Sequence, residues 1–211
     1  MNTRAIFAGL AFAFIWSSAF TSARIIVAEA PPMLSLALRF FISGVLGVLV
    51  AKAMGQTWNL TRAQWRAVVI FGVCQNALYL GLNFMAMQTV EASLASIIAS
   101  AMPLLVALIG WLVLSDRPSG LGLIGLILGT VGVLLIMGSR LQGGADLFGI
   151  ALCLIGVVSL AIATLTVRSA SGGGNLMMIV GLQMLVGSLG LLIPGLMFED
   201  WNVTWSPVLI T

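Results

Sequence analysis

Seven long apolar runs constrain the fold of this 211-residue chain more than any other feature. They cover approximately residues 5–28, 32–51, 66–87, 91–114, 119–138, 145–167 and 175–198, with short connections between them. About 20 apolar residues are needed to cross a hydrocarbon core roughly 30 Å thick. We therefore predict an all-α polytopic membrane protein with seven spanning helices. The closing segment VTWSPVLIT predicts the start of an eighth.

Composition supports lipid as the surrounding solvent. Only 7% of the residues are charged and the mean hydropathy is +1.17, whereas a soluble domain carries about a quarter charged residues. The chain has no histidine, and its two cysteines, Cys74 and Cys153, each lie within an apolar run. A metal site and a disulfide framework are therefore both unsupported, and we expect no cofactor.

The distribution of basic residues predicts the orientation. If the N-terminus lies inside, six basic residues fall on the inner side and two, Arg24 and Arg140, on the outer side. The inner residues are Arg4, Lys52, Arg62, Arg66, Arg117 and Arg168. The positive-inside rule then predicts a multi-pass protein of the cell membrane with a cytoplasmic N-terminus. The first run resembles a signal peptide, but six further spans follow it, which favours an uncleaved helix.

Arg39 is the only charged residue in the run 32–51. At a rise of 1.5 Å per residue it lies roughly 10 Å from the helix end marked by Pro32. Two interpretations stay open. The guanidinium extends to the outer headgroups, or it faces the bundle interior and pairs with a helix-end carbonyl, Glu91 or an anionic substrate group. Arginine suits a planar partner such as carboxylate, because its N–H groups form a bidentate fork.

The third run carries a polar stripe. Gln75, Tyr79 and Asn83 recur every four residues, and Asn76 lies on the adjoining flank. Lipid cannot satisfy side-chain amides, so the stripe must face protein or a watery cavity. The alternative is that these residues form interhelical hydrogen bonds. Four polar residues in one stripe are more than a single packing contact needs, which favours a cavity lining.

Four isolated residues join the candidate list. Pro103 lies in the middle of the fourth run and predicts a kink, either as packing or as a gating hinge. Trp16 lies near the middle of the first run, which suits a cavity wall or the core. Gln183 lies in the middle of the seventh run. Glu91, at the edge of the third and fourth runs, is the only acidic candidate for proton coupling and equally fits a helix boundary.

Weak internal repetition suggests two related halves. GLAFAFIWSSAF from Gly9 resembles GIALCLIGVVSL from Gly149, and SGVLGVLV from Ser43 resembles GSLGLLIP from Gly187, at offsets of 140 and 144. A repeat of five helices would place the second copy upside down in the membrane, as in inverted-repeat transporters. We expect a first repeat at 1–138 and a partial second repeat at 139–211. Gln183 would then lie near the counterpart of Arg39.

At this point the sequence resembles a known family. FIWSSAFTSARII, PPMLSLALRFFISG and the stretch from NALYLGLNF to GTVGVLLI are similar to the first repeat of the drug/metabolite transporter superfamily, EamA type, and GLQMLVGSLGLLIPGL is similar to part of its second repeat. The order of Trp16, Pro32, Arg39, Pro103 and the segment 116–132 carries the resemblance.

The resemblance implies ten helices in two inverted repeats, in a bacterial inner membrane. It implies efflux or exchange of amino acids, related metabolites or amphipathic drugs through a central cavity, with no nucleic-acid partner. Carried over to this sequence, Trp16, Tyr79, Asn83 and Ser100 would face that cavity, and Arg39 would have a structural or gating role. Because the chain stops after seven helices, we expect a second repeat that is only partly present.

Several functions compete at this stage. The leading hypothesis is a secondary transporter that works by alternating access; proton coupling or exchange, and a monomer or a homodimer, stay open as alternatives. The alternative is a truncated membrane scaffold or partner subunit that does not transport. A membrane enzyme is disfavoured, because the chain lacks histidine and its acids, apart from Glu199 and Asp200, stand alone in loops.

Overall fold

The computed structural model describes residues 3–141, 146–167 and 175–204, and these residues form helices without any β-strand. The helices are α1 (Thr3–Glu29), α2 (Pro32–Ala53), α3 (Arg62–Phe71), a π-helix (Gly72–Tyr79), α4 (Leu80–Ala86), α5 (Ala92–Ser100), α6 (Met102–Leu114), α7 (Gly120–Leu141), α8 (Leu147–Val167) and α9 (Leu176–Phe198). Seven spans in these ranges are long and apolar enough to cross a membrane. The predicted all-α polytopic fold is thus confirmed. The expected start of an eighth helix lies largely outside the described residues.

Two spans are irregular. The third span runs through α3, the π-helix and α4, so its middle is wound with one extra residue per turn. The fourth span is divided at Ala101 into α5 and α6, and Pro103 is in the first turn of α6. A proline there loses no hydrogen bond, because N–H groups of a first turn have no partner within their own helix. The kink predicted from Pro103 is present as this break.

Polar side chains satisfy N–H groups in the first turns of α3 and α8. Thr61 and Gln64 form a capping box on α3, in which each side chain accepts from the backbone N–H of the other residue. Asp146 accepts hydrogen bonds from the N–H groups of Phe148 and Gly149 at the start of α8. Because these N–H groups are capped, the residues at which α3 and α8 begin are well defined.

The α2–α9 pair forms the most extensive helix interface among the described elements. The two helices are antiparallel, and small residues let their backbones approach closely: a Cβ on Gly47 would lie 3.1 Å from the Cα of Gly181. Ser188 donates a buried hydrogen bond to the carbonyl of Ala37 at 2.8 Å. Small residues and interhelical hydrogen bonds are the means by which helices associate in lipid.

Helix α7 packs loosely by comparison, and none of its spanning window is buried. Gly122, Gly125, Gly129 and Gly132 are spaced by three or four residues and so form a stripe on one face of this helix. The stripe makes one close interhelical approach, where a Cβ on Gly129 would lie 2.8 Å from Leu104. Cβ atoms on Gly125 and Gly132 would meet nothing within 4 Å. The stripe therefore serves as a packing surface only around Gly129 within the described residues.

Candidate functional site

A cavity of about 190 Å³ lies between α1, α2 and the end of the third span, and Arg39 lines it together with Tyr79 and Asn83. We call it the Arg39 cavity. Its remaining walls are apolar and consist of Ala19, Phe20, Ala23, Leu36, Phe40, Leu80, Phe84 and Met87. The structure thus brings three residues selected from the sequence, one on α2 and two on the third span, to a single intramembrane cavity.

The π-helix determines where the polar residues of the third span point. Tyr79 is its last residue and Asn83 lies one turn further on, in α4. The side-chain amide nitrogen of Asn83 donates to the carbonyl of Tyr79 at 2.8 Å. Single turns of π-helix occur often at functional sites, because the extra residue re-aims the side chains that follow. Here Tyr79 and Asn83 face the cavity from successive turns.

Gly156 on α8 packs against the hydrogen bond between Asn83 and Tyr79. A Cβ at this position would lie 2.9 Å from the amide nitrogen of Asn83 and 3.3 Å from the carbonyl oxygen of Tyr79. Only a residue without a side chain leaves room for the Asn83–Tyr79 hydrogen bond. The glycine therefore holds α8 against the third span and keeps the Asn83 amide in place.

The charge of the cavity comes from Arg39 alone, since the ten other lining residues are uncharged. Its side chain is largely exposed with respect to the protein. Arg24, on α1, lies outside this lining, and its guanidinium donates a hydrogen bond to the carbonyl of Met87 at the end of the third span. A cation at a helix C-terminus satisfies a carbonyl that has no partner within its helix.

Three acidic residues near the same ends of the helices accept hydrogen bonds from other groups. Glu199, directly after α9, accepts hydrogen bonds from the N–H groups of Met33 and Leu34 at 2.9 and 3.0 Å. Asp146 accepts from the hydroxyl of Thr89 at 2.6 Å. Glu91 accepts from the hydroxyl of Ser93 at 3.1 Å. In the described part of the chain, no carboxylate is among the groups that line the cavity with Arg39.

The other candidates from the third span lie away from the cavity. Asn76 is buried and donates from its amide to the backbone carbonyl of Gln183 at 3.0 Å, so it joins the third span to α9. Gln75 is half-buried and, like Asn76 and Gln183, is absent from the cavity lining.

The candidates on the fourth span are absent from the lining of the Arg39 cavity. Ser100 is exposed and donates to the carbonyl of Ile97 at 2.6 Å, while Glu91 is exposed at the start of α5. The side chain of Trp16 lies outside the described residues.

A second cavity of about 530 Å³ lies on the other side of the break in the fourth span. Pro103 and Asp116 line it, together with Met102, Val106, Ala107, Gly110, Arg117, Pro118 and Thr164. We call it the Asp116 cavity. Because consecutive spans alternate in direction, it occupies the half of the membrane opposite to the Arg39 cavity.

A small apolar cluster borders both cavities. Tyr79, Ala99 and Leu160 are buried in it, and Phe20, Leu80 and Met102 pack against them. Phe20, Tyr79 and Leu80 also line the Arg39 cavity, and Met102 lines the Asp116 cavity. We call these six residues the barrier cluster, since their packed side chains contribute to the walls of both cavities.

Sequence reasoning missed the apolar walls and the second cavity. Phe20, Leu36 and Phe84 carry no signal that distinguishes a cavity wall from ordinary core, because both need large apolar side chains at helical spacing. Asp116 and Thr164 lie on different elements, and only the tertiary fold brings them together. The one local signal was Pro103, which marks the break beside which the Asp116 cavity lies.

Comparison with known proteins gives a consistent family assignment. Residues 3–138 match the profile of the EamA-like transporter family. The chain is 29% identical over 204 residues to the uncharacterized transporter YvbV of Bacillus subtilis, covering 96% of the chain and 67% of the relative.

Two further relatives are more distant. The uncharacterized transporter sll0355 of Synechocystis is 23% identical, with 90% of the chain and 63% of the relative covered. A WAT1-related chloroplastic protein of Arabidopsis thaliana is 26% identical, with 85% and 44% covered. The chain thus spans about two thirds or less of the length of these curated relatives.

Proposed function

Because the family profile covers more than half of its length, the chain belongs to the EamA-like transporter family, and we propose that it exports or exchanges small metabolites, such as amino acids, or amphipathic drugs by alternating access. The observation that carries the proposal is the Arg39 cavity. It holds a guanidinium, a phenol and an amide at membrane depth. Polar and charged groups are costly in lipid and mark solute pathways in membrane proteins.

Two cavities in opposite halves of the membrane support an alternating-access mechanism. In this proposal the barrier cluster, which borders both cavities, closes the route between them. A rocking motion at the break between α5 and α6 would move Met102 and Ala99 relative to Tyr79 and so open one side as it closes the other. Pro103 acts as the hinge in this proposal, since its ring prevents a continuous helix at that point.

The α2–α9 interface supports the inverted repeat, with a first unit at 1–138 and a partial second unit at 139–211. The two helices are antiparallel, as copies related by an axis in the membrane plane must be. An offset of 144 residues converts the pair Ala37–Ser188 into the pair Gly44–Gly181, and both pairs are in close contact. The same offset relates Arg39 to Gln183.

The excess of basic residues on one side supports a cytoplasmic N-terminus in a bacterial inner membrane. In this orientation α2 begins at the outer surface, so the Arg39 cavity lies in the outer half of the bilayer. The Asp116 cavity then faces the cytoplasm.

A flux measurement tests the proposal. The purified full chain is reconstituted in phosphatidylcholine liposomes preloaded with a mixture of ¹⁴C-labelled amino acids, and counterflow is measured. We expect saturable flux that Tyr79→Ala and Asn83→Ala each reduce at least tenfold. The matched control is Leu78→Ala, which truncates a side chain on the exposed side of the same helix and should leave the flux unchanged.

Two results would contradict the proposal at different points. Saturable flux that survives both Tyr79→Ala and Asn83→Ala would contradict the assignment of these two residues to the solute site. If well-folded wild-type protein shows no saturable flux, either with amino acids or with a set of aromatic amines and acids, the proposed transport function is wrong.

A further inference from the structure

We propose that the Arg39 cavity selects small organic monoanions, namely carboxylates that carry one compact apolar group. This inference rests on the proposed function and names its substrate class. It follows from the charge of the cavity, from its remaining hydrogen-bonding groups and from its size.

The charge argument comes first. Arg39 brings one positive charge to a cavity whose other lining residues are neutral. A charge at membrane depth needs a partner or water. No carboxylate is among the lining residues of this cavity in the described part of the chain. The cavity therefore lacks a fixed counterion among the described residues, and an anionic solute supplies one.

The hydrogen-bonding groups favour a carboxylate in particular. A guanidinium presents two parallel N–H groups that match the two oxygens of a carboxylate, and Tyr79 lines the same cavity. The amide nitrogen of Asn83 is already used by the carbonyl of Tyr79. Its oxygen remains as an acceptor, which suits a hydroxyl group beside the carboxylate rather than the carboxylate itself.

The walls and the volume define the rest of the solute. Leu36, Phe40 and Phe84 form a hydrocarbon surface beside the guanidinium. An apolar cavity of about 150 Å³ is large enough to bind benzene, and the Arg39 cavity measures about 190 Å³. An aromatic ring or a branched alkyl group with one carboxylate fits this space. No carboxylate of the cavity is placed to attract an ammonium group, which disfavours cationic amines.

Equilibrium binding tests the substrate class without any transport step. The full chain in dodecyl maltoside is titrated calorimetrically with benzoate, benzamide and benzylammonium, which share a ring and differ in charge. We expect benzoate to bind at least tenfold more tightly than the other two. This comparison uses wild-type protein, so it holds even if a variant fails to fold.

Two variants assign the effect to Arg39. Arg39→Gln should weaken benzoate binding at least tenfold and leave benzamide binding unchanged, and Arg39→Lys should fall between. The matched control is Arg66→Gln, which removes the same charge from an exposed position on α3 and should leave all three affinities unchanged. Equal binding of the three probes, or benzoate binding that survives Arg39→Gln, would overturn the inference.

A lipid phosphate is the other anion within reach of this guanidinium. If phosphate is the real partner, benzoate will not bind, and the protein in nanodiscs will gain thermal stability from phosphatidylglycerol in an Arg39-dependent way. That result would overturn the inference. Arg39-dependent benzoate binding without flux would instead contradict the transport function, whereas flux that ignores substrate charge would contradict only the substrate class.

Discussion

Asn76 donates a buried hydrogen bond from its side-chain amide to the backbone carbonyl of Gln183, 3.0 Å away on α9. A few residues further along the same span, Tyr79 and Asn83 line the Arg39 cavity. The polar stripe of the third span is therefore divided between two roles. One part joins the span to α9, and the other part faces the space in which we place the solute.

This division predicts that Asn76→Ala lowers stability without changing the cavity. Interhelical hydrogen bonds in membranes contribute about 0.6 kcal/mol on average and up to about 1.7 kcal/mol. We expect a loss in that range, measured by reversible unfolding in mixed detergent micelles. Gln75→Ala, which truncates the half-buried neighbour, is the matched control and should cost less.

Benzoate affinity provides the second readout for Asn76→Ala. The cavity lining does not include Asn76, so the affinity should stay within twofold of the wild type. A large loss of affinity with unchanged stability would show that Asn76 belongs to the solute site after all.

How far the sequence predicts this molecule depends on the range of the interactions involved. The seven spans follow from apolar length alone, and even the division of the fourth span follows from Pro103, because a proline ring acts within its own turn. The N-cap at Thr61 is equally local. These features need no knowledge of which helices are neighbours.

The roles of individual polar residues depend on tertiary neighbours. Asn76 and Asn83 are the same residue type on the same span, yet one contacts α9 and the other a cavity. Helical periodicity gives the angle between them but not the element that each one faces. Glu199 is a second example, since its loop position gives no sign that it caps a helix more than 160 residues earlier in the chain.

Close backbone contact between α2 and α9 makes Gly181 sensitive to the smallest side chain. A Cβ there would lie 2.8 Å from the backbone nitrogen of Val48, and a backbone atom of a neighbouring helix cannot move aside cheaply. We expect Gly181→Ala to destabilise the protein by about 1–3 kcal/mol, the usual cost of overpacking.

Gly125→Ala is the matched control for this substitution. It adds the same methyl group to α7, where a Cβ would meet nothing within 4 Å. The intrinsic preference of helices for alanine should make it neutral or stabilising by up to about 1 kcal/mol. Equal effects of the two substitutions, measured by the same unfolding assay, would contradict the close α2–α9 contact.

The carboxylate of Glu199 caps the first turn of α2 and ties the end of α9 to it. Glu199→Ala leaves the N–H groups of Met33 and Leu34 without their acceptor. Loss of a helix cap costs about 0.5–2 kcal/mol, and we expect a decrease of that size in unfolding free energy. Asp200→Ala removes a charge from the next, exposed residue and should change stability little. A larger effect at Asp200 than at Glu199 would refute the cap.

The cap at Asp146 predicts a pH dependence of stability. The hydrogen bond from the Thr89 hydroxyl, together with those from the N–H groups of Gly149 and Phe148, lowers the pKa of Asp146 below its usual value, against a smaller opposing effect of burial. A carboxyl whose pKa is lower in the folded state stabilises the fold fully above its unfolded pKa of about 3.9. That stabilisation disappears as the pH falls through the lower, folded value.

The measurement compares the melting temperatures of wild type and Asp146→Asn in detergent between pH 2.5 and pH 7. The wild type should melt at the higher temperature, by a constant margin above about pH 5, because the asparagine does not titrate and is a weaker acceptor. The margin should narrow below about pH 4, since the protonated carboxyl loses the same charge-assisted hydrogen bonds. A margin that grows as the pH falls would mean that the carboxyl is stabilised in its protonated form, contrary to its contacts with Thr89 and the first turn of α8.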